Sequence, residues 1–309
     1  MMGYLLLVLV AGVLLLLALR LLLPRFVLGR EGQYFDSNGV RIHYTEEGKG
    51  APVVLVHGLA FTAQLEWRRT GIAQALAREY RVITLDNRGH GRIDKPHDPR
   101  QYGVEMVQDL VRLLDHLGID KAHFIGLSMG GFIIIKLLTL HPERVLSAAP
   151  CAAGWRQPDE ANLAFAEGVA AALERNGSIG PLAEIVGLEG RIVQFGTAIG
   201  IRLSNDRFAL AALMRAFQQL AVQEEALRAN RVSALTIIGR DDGFLPDATA
   251  LARVMAHHEL VRVDGRNHMN IADTGPFLAA LQRFLADQTQ REPGEVGPNP
   301  VVEGWRPAG

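Results

Sequence analysis

Ser128 is the residue whose surroundings indicate covalent chemistry. It lies in Gly-Leu-Ser-Met-Gly at residues 126–130, after an apolar run at 122–125 that predicts a buried strand and before residues 132–138, which predict a buried helix. A nucleophile on such a sharp turn requires small residues two positions before and after it, so that strand and helix can approach each other. The helix N-terminus would direct N–H groups at the serine, where negative charge develops during acyl transfer. Taken alone, the pattern fits either a nucleophilic serine or an ordinary serine in a glycine-rich turn, and the segments described next favour the nucleophile.

Four further segments carry residues that could complete such a site. They are His57-Gly58 after an apolar strand, Asp-Asn-Arg-Gly-His-Gly at 86–91, Gly-Arg-Asp-Asp at 239–242 followed by Pro246, and Gly-Arg-Asn-His at 265–268. The five segments in this order are far more specific than any one of them. From about residue 33 to about residue 288, the chain resembles the α/β-hydrolase fold superfamily, in its single-domain esterase/lipase-like branch with a helical cap.

The resemblance implies an α/β fold in which a mostly parallel, doubly wound sheet carries a helical cap insertion. Strand and helix patterns stop alternating after about residue 152, and helical patterns follow at 159–175, 181–193 and 206–228. In the family, an insertion at this point usually covers the serine. The predicted units are an N-terminal membrane anchor at 1–30, the first part of the core at 31–151, the cap at 152–230, the second part of the core at 231–288 and a disordered tail at 289–309.

Three residues take catalytic roles by this resemblance. Ser128 corresponds to the nucleophile, and His268, in the loop after the final predicted strand, corresponds to the general base. Two adjacent carboxylates, Asp241 and Asp242, compete for the position that orients the histidine. The family's spacing of Gly-x-x-Asp-x-x-x-Pro selects Asp242 within Gly-Arg-Asp-Asp-Gly-Phe-Leu-Pro. The chain order is then Ser, Asp, His, which is the order expected for this fold.

The family also places two backbone N–H groups around the oxyanion. By that resemblance the donors are the N–H groups of Leu59, in the loop after an apolar strand, and Met129, directly after the serine. His57 is expected to brace this loop rather than to titrate in catalysis. The segment 86–96 contains Asp, Arg and His, but in the family it is a structural turn, and we expect its charges to pair locally. Ile93 stands where the family has serine.

The resemblance implies hydrolysis of a small-molecule carboxylic ester through an acyl-enzyme, with no metal or organic cofactor. Apolar residues in the cap favour an apolar acyl or alcohol group, and the candidates are Phe165, Phe195, Phe208, Met214 and Phe217. Hydrolysis of C–C bonds, lactones or thioesters and acyl transfer to an alcohol are alternatives on the same triad. The alternative of another class is a non-catalytic, membrane-tethered binding protein, which we expect to have lost at least one triad residue.

Composition argues against other classes of partner. The net charge of −1 over 309 residues, of which 21% are charged, produces no overall field that would attract nucleic acid. The single cysteine, Cys151, excludes an intrachain disulfide. The sequence contains no Cys/His cluster with the spacing of metal ligands.

An N-terminal stretch, residues 4–23, is almost wholly apolar and is interrupted only by Gly12 and Arg20. As a helix it would span about 30 Å, the thickness of a bilayer's hydrocarbon core. A cleaved signal peptide is the competing interpretation, but no Lys or Arg precedes the run and no small-x-small site follows it. We therefore expect a single-pass, uncleaved anchor. Arg20, Arg25 and Arg30 predict a catalytic domain on the cytoplasmic side, whereas cleavage would make the chain secreted or periplasmic.

Overall fold

A computed structural model describes residues 32–188, 190–273 and 275–290, together with the two residues 301–302. Within them, strands and helices alternate around one mixed sheet. The strands are β1 (Gln33–Ser37), β2 (Val40–Glu47), β3 (Pro52–Val56), β4 (Arg81–Leu85), β5 (Ala122–Leu127), β6 (Val145–Cys151), β7 (Ala234–Gly239), β8 (His258–Val263) and β9 (Val301–Val302). Their order across the sheet is β1-β2-β4-β3-β5-β6-β7-β8-β9.

The sheet is antiparallel at one edge and parallel elsewhere. β1 and β2 form a hairpin around Asn38 and Gly39, and β2 pairs antiparallel with β4. All pairs from β4 to β9 are parallel. The central strands β5 and β7 are buried along their whole length, as is usual for parallel strands covered on both faces. The predicted mostly parallel, doubly wound sheet is confirmed.

Helices cover both faces of the sheet. The α-helices of the described residues are α1 (Ile72–Leu76), α2 (Val104–His116), α3 (Met129–Leu140), α4 (Glu160–Asn176), α5 (Leu182–Ile185), α6 (Arg191–Ser204), α7 (Arg207–Ala216), α8 (Glu224–Ala229), α9 (Leu245–Val254) and α10 (Gly275–Gln290). Alternate residues of a strand point to opposite faces. Val53 and Leu55 of β3 therefore belong to one core with α1 and α10, while Val54 and Val56 belong to another with α2 and α3.

The insertion between β6 and β7 is helical, but its second helix differs from the predicted one. The predicted helix at 181–193 is wrong, because α5 already ends at Ile185. Gly187 and Gly190 then take positive φ angles of 76° and 88°, which interrupt a right-handed helix. The following helix, α6, begins only at Arg191.

The last predicted helix of the insertion, at 206–228, is also interrupted. α7 ends at Ala216, a short 3₁₀ turn follows, and the backbone is extended at Ala221 before α8 begins. The extended stretch exposes the carbonyl of Val222, which accepts a hydrogen bond of 2.8 Å from Trp155 Nε1. Since Trp155 lies just after β6, this bond ties the two ends of the insertion together.

The predicted membrane anchor, residues 1–30 with the apolar stretch 4–23, lies outside the described residues. Among the helices that are described, none combines the length and the hydropathy needed to cross a bilayer. The boundaries predicted for the core and the cap remain predictions.

Most of the predicted disordered tail, residues 289–309, also lies outside the described part of the chain. Its residues Val301 and Val302 form β9 and pair with Leu260 and Val261 of β8. The pairing gives β8 a partner for backbone groups that an edge strand would leave unpaired. In addition, α10 continues to Gln290.

Candidate active site

Ser128 lies on the turn between β5 and α3 with strained backbone angles, φ 54° and ψ −117°. Such angles cost a non-glycine residue about 1–3 kcal/mol, so the surrounding packing must hold them. The packing here is tight: a Cβ at Gly126 would lie 2.4 Å from the carbonyl of Gly130, and a Cβ at Gly130 would lie 2.1 Å from the carbonyl oxygen of Val56. Glycine at Gly126 therefore lets β5 approach α3, and glycine at Gly130 lets α3 approach the end of β3, around the turn that presents the serine.

Ser128, His268 and Asp242 form a chain of hydrogen bonds. His268 Nε2 lies 2.9 Å from Ser128 Oγ, and His268 Nδ1 lies 3.0 Å from Asp242 Oδ2. Asp242 Oδ1 accepts a further hydrogen bond of 2.9 Å from the N–H of Phe244. Both Asp242 and His268 are buried. When Nδ1 carries the proton and donates it to the carboxylate, Nε2 is left as the acceptor for the serine proton.

The two neighbouring carboxylates that compete in the sequence have different surroundings. Asp242 contacts His268 and is buried, whereas Asp241 is exposed and its N–H donates to the carbonyl of Arg266 at 3.0 Å. The loops after β7 and β8 touch here, because a Cβ at Gly239 would lie 1.9 Å from the carbonyl oxygen of Arg266. This contact brings the carboxylate of one loop to the imidazole of the other.

Leu59, Ser128 and Met129 line the same cavity. Met129 is the first residue of α3, so its N–H has no acceptor within the helix. Among the hydrogen bonds of the described residues, none is donated by the N–H of Leu59 either. Two backbone donors beside the serine, one of them at the positive end of a helix, can stabilise an oxygen that gains negative charge.

Two buried histidines hold the loop after β3. His57 Nε2 accepts from the N–H of Asn87 at 2.9 Å, so its Nδ1 carries the proton and donates to the carbonyl of Gly58 at 2.8 Å. His90 Nε2 accepts from the N–H of Ala60 at 3.1 Å. Burial lowers the pKa of His57 and lowers the pKa of His90 to about 3, because it penalises the charged imidazolium. Both histidines act as neutral braces, as expected for His57.

The segment 86–96 is structural, but two of its charged residues, Asp86 and Arg88, have side-chain partners outside it. Arg88 is completely buried, and its Nε and Nη2 donate to the two carboxylate oxygens of Asp109 on α2, at 2.6 and 2.5 Å. Asp86 lies 3.1 Å from Nδ1 of His43 on β2. A buried charge requires a close partner, and here the partners lie on other elements, where sequence spacing does not reveal them.

A cavity of about 690 Å³ lies between the turn that carries Ser128 and helices of the insertion between β6 and β7. Its wall is mainly apolar and includes Leu59, Met129, Phe132, Phe165, Met214 and Phe217. Three of the five cap residues predicted to be available for a pocket, namely Phe165, Met214 and Phe217, therefore line it. The site can enclose an apolar group next to the serine.

Phe195 and Phe208, the other two residues predicted to be available, do not line this cavity. Phe195 is 69% exposed on α6. Phe208, at the start of α7, lies under the guanidinium of Arg207, 4.7 Å from the ring centroid, and 5.8 Å from the ring of His97. Each lies on an outward face of its helix, and sequence periodicity alone does not say which face of a cap helix meets the core.

A charged pair that the sequence analysis missed forms part of the cavity wall. Arg156 Nε and Nη2 contact the carboxylate of Asp247 at 2.8–3.1 Å. The pair joins the segment after β6 to the first turn of α9, the helix that follows Asp242. Burial raises the pKa of Asp247, and Arg156 opposes that rise. The two residues are 91 positions apart, so no local motif marks them.

Within the described residues, no group of three or more His, Cys, Asp or Glu side chains is arranged to hold a metal ion. Cys151 is buried at the end of β6, and burial raises the pKa of its thiol to about 12. The reactive thiolate is therefore not formed at neutral pH. The carbonyl of Cys151 instead accepts the N–H of Ser128 at 2.9 Å and helps to hold the turn.

Comparisons with known proteins point to one family. The sequence model of the alpha/beta hydrolase fold matches residues 51–178. Over 269 residues the chain is 30% identical to the dihydrolipoyllysine-residue acetyltransferase component of the acetoin cleaving system of Cupriavidus necator, which covers 82% of this chain and 68% of that protein. Over 243 residues it is 29% identical to 2-hydroxymuconate semialdehyde hydrolase of a Pseudomonas species. That match covers 71% of this chain and 80% of the hydrolase. The chain spans less than half the length of several other curated relatives that it matches.

A similar architecture occurs in the solved structure of a thermophilic esterase from Thermogutta terrifontis. The two chains superpose with a TM-score of 0.71 at 22% identity, over 83% of this chain and 99% of that one. At this level of identity, the likeness concerns the fold and not the activity.

Proposed function

Because the chain belongs to the α/β-hydrolase fold family, we propose that it hydrolyses carboxylic esters through an acyl-enzyme on Ser128. The observation that carries the proposal is the hydrogen-bonded chain from Asp242 through His268 to Ser128, with distances of 3.0 and 2.9 Å. Such a chain activates a serine hydroxyl for attack on a carbonyl carbon.

The proposed reaction proceeds in two halves. Ser128 Oγ attacks the ester carbonyl while His268 Nε2 takes its proton, and Asp242 keeps the imidazole in the required tautomer and balances its charge. The N–H groups of Leu59 and Met129 stabilise the oxyanion, and loss of one such donor typically costs about 2.7–4 kcal/mol. The protonated His268 passes its proton to the departing alcohol. Water activated by the same imidazole then releases the acid and regenerates the serine.

The cavity supports a substrate with an apolar acyl or alcohol group. Its volume of about 690 Å³ lies in the range of small-molecule sites. The ring of Phe132 packs edge-on against those of Phe217 and Phe244, with centroids 5.4 and 5.6 Å apart. Burying an apolar chain against such a wall contributes roughly 25 cal/mol for each Å² removed from water.

C–C bond hydrolysis is the second candidate on the same triad. The 29% identity with 2-hydroxymuconate semialdehyde hydrolase, over 80% of that protein, is the observation that favours it. Lactone or thioester hydrolysis and acyl transfer would use the same nucleophile. These reactions are distinguished by the bond that is cleaved and the group that accepts the acyl chain, so substrate assays separate them.

The test of the proposed function is hydrolysis of p-nitrophenyl esters from acetate to palmitate, together with labelling by a fluorophosphonate. We expect turnover with a chain-length optimum set by the cavity, and a label on the peptide that contains Ser128. The variant Ser233→Ala, altered in the loop before β7, is expected to label like the wild type.

Two results would contradict this proposal in different ways. A protein that labels but cleaves none of the esters would favour the C–C hydrolase. A folded protein that neither labels nor turns over any ester would favour the non-catalytic binding protein.

From the sequence alone, we also propose that residues 4–23 anchor the chain in a membrane, with the catalytic domain on the cytoplasmic side. We expect the full-length protein to remain with membranes after carbonate extraction, and a variant starting at residue 31 to stay in the supernatant. Protease added outside intact cells should leave the catalytic domain uncut. A mature chain whose mass shows that the apolar stretch has been removed would contradict the anchor and indicate a signal peptide.

A further inference from the structure

Glu66 is a buried carboxyl group that the proposed reaction does not use. The residue is 5% exposed, and its Oε2 accepts a hydrogen bond of 2.5 Å from the N–H of Gly58. Gly58 directly precedes Leu59, the proposed oxyanion donor. A Cβ at Gly58 would lie 3.4 Å from Ser128 Cβ and 3.5 Å from Glu66 Oε2. Gly58 therefore lies between the carboxyl group and the serine.

A widened helical turn, Gln64–Arg68, directs Glu66 into this position. The N–H of Arg69 donates to the carbonyl of Gln64, five residues back, at 3.0 Å. This is the π-helical pattern, which is frequent at functional sites. Both Glu66 and its neighbour Trp67 are buried by the turn. Since burying a carboxyl group is costly, its hydrogen bond to the loop points to a role there.

Glu66 and His57 together fix the two peptide groups that flank Gly58. Glu66 holds the N–H of Gly58, while the carbonyl of Gly58 accepts from His57 Nδ1 at 2.8 Å and from the N–H of Phe61 at 3.3 Å. In a planar trans peptide the C=O and N–H point in opposite directions. By holding the carbonyl of Gly58, His57 and the N–H of Phe61 therefore also aim the N–H of Leu59, and Glu66 fixes the preceding peptide group, from which Gly58 and Leu59 continue. A donor fixed in advance is the kind that stabilises an oxyanion best.

The surroundings of Glu66 determine its charge. Burial raises its pKa to about 8, the N–H of Gly58 opposes that rise, and the carboxylate of Asp273 adds to it. Of the other titratable groups in the neighbouring described segments, His57 is neutral because burial lowers its pKa, and Arg68 on the same turn pairs with Glu47 at 3.0 Å. These surroundings favour the protonated form of Glu66, and we expect it to ionise in mildly alkaline solution.

We propose that Glu66 is a positioning residue for the oxyanion donor Leu59, and that ester hydrolysis requires its protonated form. An ionised carboxylate behind Gly58 would repel the negative charge that develops on the substrate oxygen, in a buried region where solvent screens weakly. The inference rests on the proposed esterase function. It predicts that wild-type kcat falls on the alkaline side as Glu66 loses its proton.

The test compares kcat of the wild type, Glu66→Gln and Glu66→Ala from about pH 6 to about pH 10, with the rate of Ser128→Ala subtracted as background. We expect Glu66→Ala to lose about 10²–10³-fold in kcat, as on removal of one oxyanion donor. Glu66→Gln keeps an oxygen acceptor for Gly58 and cannot ionise, so it should restore most of that loss and abolish the alkaline fall.

Two further variants control this experiment. Asp273→Asn removes a negative charge that favours the protonated form of Glu66, so the alkaline fall should move to lower pH. Glu225→Gln makes the same chemical change at an exposed position on α8 and should keep the wild-type profile.

Thermal unfolding provides a readout that does not depend on activity. Because the pKa of Glu66 is raised from 4.5 to about 8 on folding, the group stabilises the fold below the unfolded value, and this stabilisation is lost as the pH rises through the folded value. We expect the Tm of the wild type, relative to Glu66→Gln, to decrease between about pH 4.5 and about pH 8.

The outcomes separate this inference from the proposed function. An alkaline fall that persists in Glu66→Gln overturns the inference and leaves the esterase intact. A Tm difference that does not change with pH overturns the assigned ionisation of Glu66. A wild type without esterase activity, in which the Tm difference still depends on pH, overturns the proposed function while the ionisation of Glu66 stands.

Discussion

Replacing Ser128 with alanine is expected to lower kcat for ester hydrolysis by about 10⁶-fold. The substitution removes the oxygen that lies 2.9 Å from His268 Nε2, so no acyl-enzyme can form. The backbone donors and the apolar cavity remain, and in comparable enzymes these alone leave a residual acceleration of about 10³–10⁴ over water. The measurement is kcat at saturating p-nitrophenyl ester, with wild-type active sites counted by fluorophosphonate labelling and the variant quantified by its protein concentration.

The kcat of His268→Ala should be lower than that of the wild type by a similar factor. The double variant Ser128→Ala/His268→Ala should be no slower than either single variant, because the two residues act as a unit. Ser233→Ala, at the opposite end of the parallel strands from the site, is the matched control and should keep wild-type kcat. A Ser128→Ala protein that retains more than about 1% of the wild-type kcat would show that another group is the nucleophile.

The residues that the structure brings together around Ser128 could be predicted because close backbone contacts restrict their sequence. At Gly126 and Gly130 any side chain would collide with neighbouring backbone, and the same is true at Gly239, beside the loop of His268. Such positions accept only glycine. Glycine therefore marks them in the sequence, at fixed distances from the functional side chains.

Glu66 could not be predicted in this way. A regular helix places neighbouring residues on different faces, so a glutamate next to the buried Trp67 would be expected to point towards solvent. The widened turn at Gln64–Arg68 buries both side chains, and no residue type signals it. Arg88 and Asp109 illustrate a related difficulty, since each side chain is ordinary in its own segment and the buried pair arises only when α2 packs against the loop.

The cap shows a third reason for incorrect predictions. Its helices are short, and their apolar residues could face the core, each other or solvent. The sequence therefore does not decide which of the candidates line the pocket, and Phe195 is exposed. In the sheet, by contrast, successive side chains of β3 point to opposite faces, so the position of each residue along the strand determines which of the two cores it joins. Periodicity therefore predicts the core better than it predicts the substrate-binding surface.

The second large effect is expected for Asp242→Asn, which should lower kcat by about 10⁴-fold. Asparagine can still accept the hydrogen bond from the N–H of Phe244, so the loop should fold as before. Its amide N–H, however, would donate to Nδ1 of His268, which then carries its proton on Nε2. An imidazole in that tautomer cannot accept the proton of Ser128. The measurement is kcat across pH, with the Tm as a check on folding.

Asp241→Asn is the matched control, because it makes the same chemical change one residue earlier in the chain. Asp241 is exposed, and its backbone N–H rather than its carboxylate holds the loop, through the carbonyl of Arg266. Exposed substitutions of this kind usually change energies by less than about 0.5 kcal/mol, which is about twofold in rate. If Asp241→Asn lost activity and Asp242→Asn kept it, the carboxylate that orients His268 during the reaction would be Asp241. The loops after β7 and β8 would then have to rearrange when substrate binds, since Asp242 is the carboxylate that lies 3.0 Å from the imidazole in this structure.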